Sequence, residues 1–163
     1  MRPLVKAIAA GEELAGRIAS IRDPGKVILM GHSLGCRTIK TCLENLSDKR
    51  IKVKEVHLLG AALPAGESWA RASRAVRGEI TNYYSKNDTI LQIPYHAAEL
   101  LSGLAAPRKE DRALPAIPVG IPLSPAGLKG INWSGNKLKN INVSDSVDRH
   151  PGFEENLHHF IKF

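Results

Sequence analysis

A run of apolar residues, Val27-Ile-Leu-Met30, passes directly into Gly31-His32-Ser33-Leu34-Gly35 and then into a stretch of helical period. This order of strand, tight turn and helix restricts the chain more than any other feature in it. Consecutive apolar residues without alternation describe a strand buried on both faces, as in a parallel sheet. Leu34, Ile39, Leu43 and Leu46 follow at roughly helical spacing, and Ser47-Asp48 breaks the pattern. Glycines on both sides of Ser33 fit a turn where a Cβ would strike the neighbouring strand or helix. Gly-x-Ser-x-Gly alone is weak: with Gly at ~7% of residues, roughly one chain in twenty of this size carries it by chance. The strand before it and the helix after it supply the specificity.

A serine on such a turn is held clear of the backbone, with a helix N-terminus aimed at it. Free amides there, that of Leu34 first, suit a developing oxyanion. His32 is the variable residue before the serine and either lines a pocket or packs in the core. A serine nucleophile needs a base, and the base needs an orienting acid. Glu79-Ile-Thr-Asn-Tyr-Tyr84 reads as a strand, with the turn Ser85-Lys-Asn-Asp88 after it. Ile141-Asn-Val143-Ser-Asp145 reads as the end of a last strand, leading to His150 and a terminal helix opened by Pro151. Ser33, Asp88 and His150 thus each fall just past a predicted strand. Asp145 and Asp148 compete as orienting acids but sit close to His150 in sequence. His57, His96, His158 and His159 fall within strand or helix patterns and read as structural.

The length fits one domain over residues 1–163 with a modest core. The net charge is +7. The densest basic run, Lys49-Arg-Ile-Lys-Val-Lys54, alternates with Ile51 and Val53, the pattern of a strand with one solvated face. Aromatic residues are few and not interleaved with the charges, so no nucleic acid is expected. A membrane-surface role for the run has weak support. Cys36 and Cys42, six apart on one predicted helix, are badly placed for a disulfide. They read as reduced thiols in a cytoplasmic chain. No metal-ligand spacing, phosphate loop, repeat, membrane-length apolar run or secretory signal is present, and no cofactor or metal is expected.

Helical and strand patterns alternate along the chain. An N-terminal helix carries Leu4, Ile8, Leu14, Ile18 and Ile21 and ends at Asp23-Pro-Gly25; strands follow at 26–32, 53–61, 79–84 and 138–144. Helices are expected after Ser33, over 67–77, over 95–104 and at the C-terminus. The fold class is therefore α/β, three layers, with a parallel sheet of about four strands and helices on both faces. Strand order should follow sequence order, with the Ser33 strand at one edge. Residues 105–139 form a long loop rich in Pro and Gly, with Leu114, Ile117, Val119, Ile121 and Leu123 in an uncharged stretch. A lid over an apolar site, a contact with a further part of the protein, and plain disorder are the three readings of it.

With serine, acid and histidine in this order, the chain resembles the α/β-hydrolase superfamily. More narrowly it resembles the branch typified by the transmembrane and coiled-coil domain hydrolases. The segments that carry the resemblance are Gly31-His-Ser-Leu-Gly35, His57-Leu-Leu-Gly-Ala-Ala62 with Pro64 and Trp69, Asn82-Tyr-Tyr-Ser-Lys-Asn-Asp88, and Asn140-Ile-Asn-Val-Ser-Asp145 leading to His150. The resemblance implies Ser33 as nucleophile, Asp88 as orienting acid and His150 as general base. It departs in one respect: in that superfamily several strands precede the nucleophile, and the loop after the third supplies a second oxyanion donor. Here one helix precedes it, which implies a truncated α/β-hydrolase fold: a fragment, a pared-down hydrolase or an inactive remnant.

Two functions follow as expectations. One is a serine esterase or lipase-like enzyme acting on carboxylic esters, acyl lipids among them. The other is a catalytically impaired module in which the Ser33 strand edge pairs with a missing half, a partner chain or a second copy.

Overall fold

The computed structural model describes residues 3–92 and 124–161. Four strands, β1 (Ile28–His32), β2 (Glu55–Leu59), β3 (Ile80–Tyr84) and β4 (Leu138–Asn142), form one sheet in the order β1-β2-β3-β4. All three pairings are parallel, with Ile28 opposite Glu55, Val56 opposite Ile80 and Ile80 opposite Leu138. Parallel neighbours require crossovers. The first two crossovers carry α2 (Gly35–Asp48) and α3 (Ala70–Ser73), and α1 (Pro3–Ala19) precedes β1. β1 is an edge strand of this sheet, as its place in the sequence order predicts.

Side chains alternate across each strand and build two cores. Leu29, Val56, Leu58 and Ile80 face one side and pack with Ala15 and Ile18 of α1 and Ile39, Leu43 and Leu46 of α2. Met30, Leu59, Tyr83 and Ile141 face the other, against Val143, Val147, Phe153 and Ile161. The second face is covered by α6 (Gly152–Glu155) and α7 (Leu157–Phe160), so the chain has three layers, helix, sheet, helix. Each large apolar side chain fully buried in these layers contributes about 1.5–3 kcal/mol from removed surface.

Several elements are shorter than their sequence patterns. The helix expected over 67–77 is only Ala70–Ser73. Past it, Val76 bridges Val53, and Ala75 O and Arg77 N–H bond to the Val53 backbone, taking groups a longer helix would need. The same bridge holds Val53 buried while Lys49, Arg50, Lys52 and Lys54 are exposed, so the basic run is a solvated turn and bridge. The terminal helix breaks into two turns at Asn156, whose φ of −106° and ψ of 14° leave the helical region.

The 105–139 loop divides. Ser124 to Asn132 is fixed to the scaffold: Ser124 O accepts from Ala65 N–H, Ala126 N–H donates to Leu63 O, and Gly127 N–H donates to Ala61 O. Within it lies the short helix α5 (Ala126–Lys129). Gly127 has no room for a side chain, since a Cβ would come within 2.6 Å of Ala61 N. The helix expected over 95–104 and the apolar residues Leu114, Ile117, Val119, Ile121 and Leu123 lie outside the described residues.

Candidate active site

Ser33 sits at the end of β1 with φ 53°, one of two non-glycine residues with positive φ among those described. L-residues adopt this region at a cost of about 1–2 kcal/mol, and such strain concentrates at functional sites. Three bonds hold the turn: Ser33 N–H to Leu59 O at 2.9 Å, and Ala62 and Cys36 N–H to Ser33 O, each at 3.2 Å. Gly31 is required, because a Cβ there would lie 2.7 Å from Ile39 and 3.0 Å from the Gly35 backbone. Gly35 differs from expectation: no atom stands within 4 Å of the space its Cβ would fill, so steric exclusion explains only the first glycine. No backbone hydrogen bond among the described residues uses the Leu34 N–H. It stands at the N-terminus of α2, free for an incoming oxygen.

Asp88 is fully buried and follows β3 in the turn expected for it. Its Oδ1 accepts from Leu91 N–H at 3.1 Å, capping the short helix α4 (Thr89–Gln92). Its Oδ2 lies 2.6 Å from His150 Nδ1. Asp145 and Asp148, the competing acids, are exposed. The turn holding Asp88 is strapped to the loop that leads to His150. Ser85 Oγ donates to Val147 O at 2.5 Å, Lys86 N–H to Ser144 Oγ at 2.9 Å, and Asn87 Nδ2 to Ser144 O at 2.9 Å. These straps join two turns far apart in sequence and were not apparent from it. A Ser/Asn-rich turn facing another across neighbouring strand ends is the signal that fits them.

His32 lies against His150, ring centroids 4.5 Å apart, and against Phe153 at 6.0 Å. Its Nε2 is 3.2 Å from His150 O and its Nδ1 2.9 Å from Glu154 Oε1. Burial, and next the proximity of His150, lower its pKa, with Glu154 opposing. The neutral ring then donates from Nε2 to the His150 carbonyl, and the exposed Glu154 pairs with it only on protonation. Both ring nitrogens thus face the segment that carries His150, one bonded to it in the neutral ring and the other on protonation. No hydrogen bond among the described residues joins the Ser33 hydroxyl to His150. The contact between the two sites runs through His32, the neighbour of Ser33.

Among the described residues, His57, His158, His159 and Cys42 make no hydrogen bond to Ser33, Asp88 or His150, while the Cys36 backbone belongs to the Ser33 turn. His57 stacks on Tyr83, Nδ1 3.2 Å from its hydroxyl. His158 and His159 are exposed, and His96 is outside the described residues. Cys36 and Cys42 are free and buried, their thiols pushed up to about 12 by burial, which makes them inert. Asn140 holds Ile131 by two bonds to its backbone and accepts from Asn82 Nδ2 at 3.0 Å, and Asn82 Nδ2 also reaches Ala126 O at 3.2 Å. In a buried ionic group, Lys40 bonds Glu44 at 2.6 Å in the i,i+4 spacing a helix allows, while the two-pronged pair of Arg37 with Glu67 has no local signal in the sequence. It ties the start of α2 to the loop after β2. Among the described residues no cluster of His, Cys, Asp or Glu could hold a metal ion.

The profile of a family described as "Protein of unknown function (DUF726)" matches residues 2–112. The chain belongs to this family. Relatives of this family member include an uncharacterized membrane protein of Schizosaccharomyces pombe, 32% identical over 88% of the chain and 22% of its own length. A transmembrane and coiled-coil domain-containing protein of Oryza sativa is 34% identical over 78% of the chain and 16% of its own length. An uncharacterized membrane protein of Caenorhabditis elegans is 28% identical over 93% of the chain and 22% of its own. The chain therefore spans about a fifth of the length of these curated relatives. No solved structure matches it. The relatives' membrane names overturn the cytoplasmic assignment read from the cysteines, because buried thiols stay reduced by inaccessibility and report no compartment. No described helix is long and apolar enough to cross a membrane.

Proposed function

We propose that this chain is a serine hydrolase of the α/β-hydrolase superfamily, acting on carboxylic esters, acyl lipids among them. The observation that carries the reading is the buried Asp88 carboxylate on His150 Nδ1, beside a serine held at positive φ between a parallel strand and a helix. Ser33 Oγ attacks the ester carbonyl as His150 Nε2 takes its proton. The tetrahedral oxyanion receives the Leu34 N–H. The imidazolium, stabilised by Asp88, protonates the leaving alcohol, and an acyl-serine remains. Water then attacks the acyl carbon, His150 takes its proton and returns one to Ser33, and the acid departs. The membrane names of the relatives support a setting at or near a bilayer.

A second reading, an impaired hydrolase serving as an interaction module, is favoured by β1 standing at the sheet edge and by the absence of a direct Ser33–His150 bond among the described residues. Hydrolysis of p-nitrophenyl acetate and butyrate separates the two. The enzyme reading expects turnover lost in Ser33→Ala; the module reading expects none in either protein.

A further inference from the structure

All four strands run the same way, so the segments that enter them meet at one edge, opposite Ser33. Those segments, 20–27, 48–55, 71–79 and 137, hold Arg22, Lys26, Lys49, Arg50, Lys52, Lys54, Arg71, Arg74, Arg77 and Lys137 against Asp23, Asp48, Glu55 and Glu79. Ten basic and four acidic residues leave +6 of the chain's +7 on this edge. The segments are in contact. Lys54 N–H bonds Val27 O, Gly78 N–H bonds Lys54 O, and the Arg77 guanidinium lies over Gly25. Three acids are taken locally, Asp23 by Lys26, Asp48 by Arg71 and Glu55 by Lys54. Arg22, Lys49, Arg50, Lys52, Arg74 and Arg77 are exposed and have no salt bridge among the described residues. At the opposite edge, segments 33–37, 60–69, 85–92 and 143–155 hold Arg37, Lys86 and Arg149 against Glu67, Asp88, Asp145, Asp148, Glu154 and Glu155, with Arg37 and Glu67 paired to each other.

We infer that the amino edge of the sheet docks on an anionic lipid bilayer, with the Ser33 edge turned away from it. Ile21, exposed to 45%, stands beside Arg22 at the end of the α1 connection, where an apolar side chain can enter the headgroup boundary. That residue favours a bilayer over a nucleic acid as the partner, and the one aromatic residue in the described segments that enter the strands, Trp133, packs on the core instead of standing free to stack a base. The charge asymmetry also sets the orientation: the basic edge is drawn to the surface and the acidic edge repelled. Ser33 then meets an ester, acyl lipids included, from the aqueous side or from a second facing surface, and not from the bilayer on which the chain docks. Each basic residue brought to such a surface is worth about fivefold in partitioning. The inference goes beyond the hydrolase reading and stands whether or not Ser33 is a nucleophile.

Co-sedimentation with large vesicles tests it, using phosphatidylcholine alone and a phosphatidylcholine–phosphatidylserine mixture in low salt. The chain is expected to bind the mixed vesicles, to ignore the neutral ones, and to be released by high salt. K49Q/R50Q/K52Q, all exposed positions between α2 and β2, should lower partitioning on the order of 100-fold. Ile21→Ser should lower it a few-fold, and Lys86→Gln at the opposite edge should leave it unchanged. Circular dichroism on each variant confirms folding, and the salt release reads the same contact in the unmodified chain. Failure to bind mixed vesicles, equal binding by the folded triple variant, or displacement from them by single-stranded RNA would overturn the inference.

Discussion

Asp88 and His150, 62 residues apart, meet through a single 2.6 Å contact between a fully buried carboxylate and an imidazole nitrogen. Neither residue gets there alone. The Ser85–Asp88 turn and the Val143–His150 loop bond to each other at three points, so acid and base are placed by one structure.

Asp88→Asn keeps an oxygen for Leu91 N–H but presents an amide to His150, losing the tautomer. Ester turnover should fall by roughly 10⁴ while the melting temperature changes little. Asp88→Ala also removes the helix cap and the imidazole's partner, and should cost about 1–3 kcal/mol in denaturant titration.

His32→Ala deletes the donor to the His150 carbonyl and the ring stacked on it. As a positioning residue, it should change kcat and spare KM, with kcat down roughly 10- to 100-fold. His32→Gln, whose amide can donate to the same carbonyl, should recover part of the loss. An unchanged kcat in His32→Ala would show that His150 is held by Asp88 and its straps alone.

The order of the sheet and the meeting of Asp88 with His150 were legible in the sequence for a physical reason. Strands alternating with helices imply a parallel sheet, and site groups follow strand carboxyl ends. The apolar run of β1 overstated its burial, since as an edge strand it buries only Leu29. Asp88 and His150 were brought together that way, and Ser33 lies just past β1 as expected, with no hydrogen bond from its hydroxyl to His150 among the described residues. Long-range competition for backbone groups was not legible. Nothing local announces that Val76 will leave its helix for Val53, or that Ser85 will reach Val147. Gly35 misled in the opposite sense, since its motif position suggested crowding where there is open space.

Ser33→Gly should be inactive yet more stable. Glycine removes about 1–2 kcal/mol of left-handed strain, against roughly 0.5–1 kcal/mol of added chain entropy. A net gain near ~0.5–1 kcal/mol in urea unfolding is expected from these two terms. A loss would mean that the Ser33 hydroxyl supports the turn.

Acidification should destabilise the fold through His32 and His57. Both have pKa values lowered from 6.5, in each case mainly by burial. The unfolded chain then binds protons more readily than the folded one, so stability rises with pH in this window. The contribution is present above about pH 6.5 and is lost as pH falls through the folded-state values. Melting temperatures between pH 8 and 5 should decline less steeply in H32Q/H57Q than in the unmodified chain.

The central claim is that Ser33 is a nucleophile activated by the Asp88–His150 pair. Labelling with a fluorophosphonate, followed by peptide mass spectrometry, measures this directly, because the reagent needs the activated serine and no knowledge of the substrate. The account predicts one adduct, on Ser33, absent in Ser33→Ala and in heat-unfolded protein and strongly slowed in His150→Ala. Folded chain that stays unlabelled, or that labels at the same rate without His150, would contradict it.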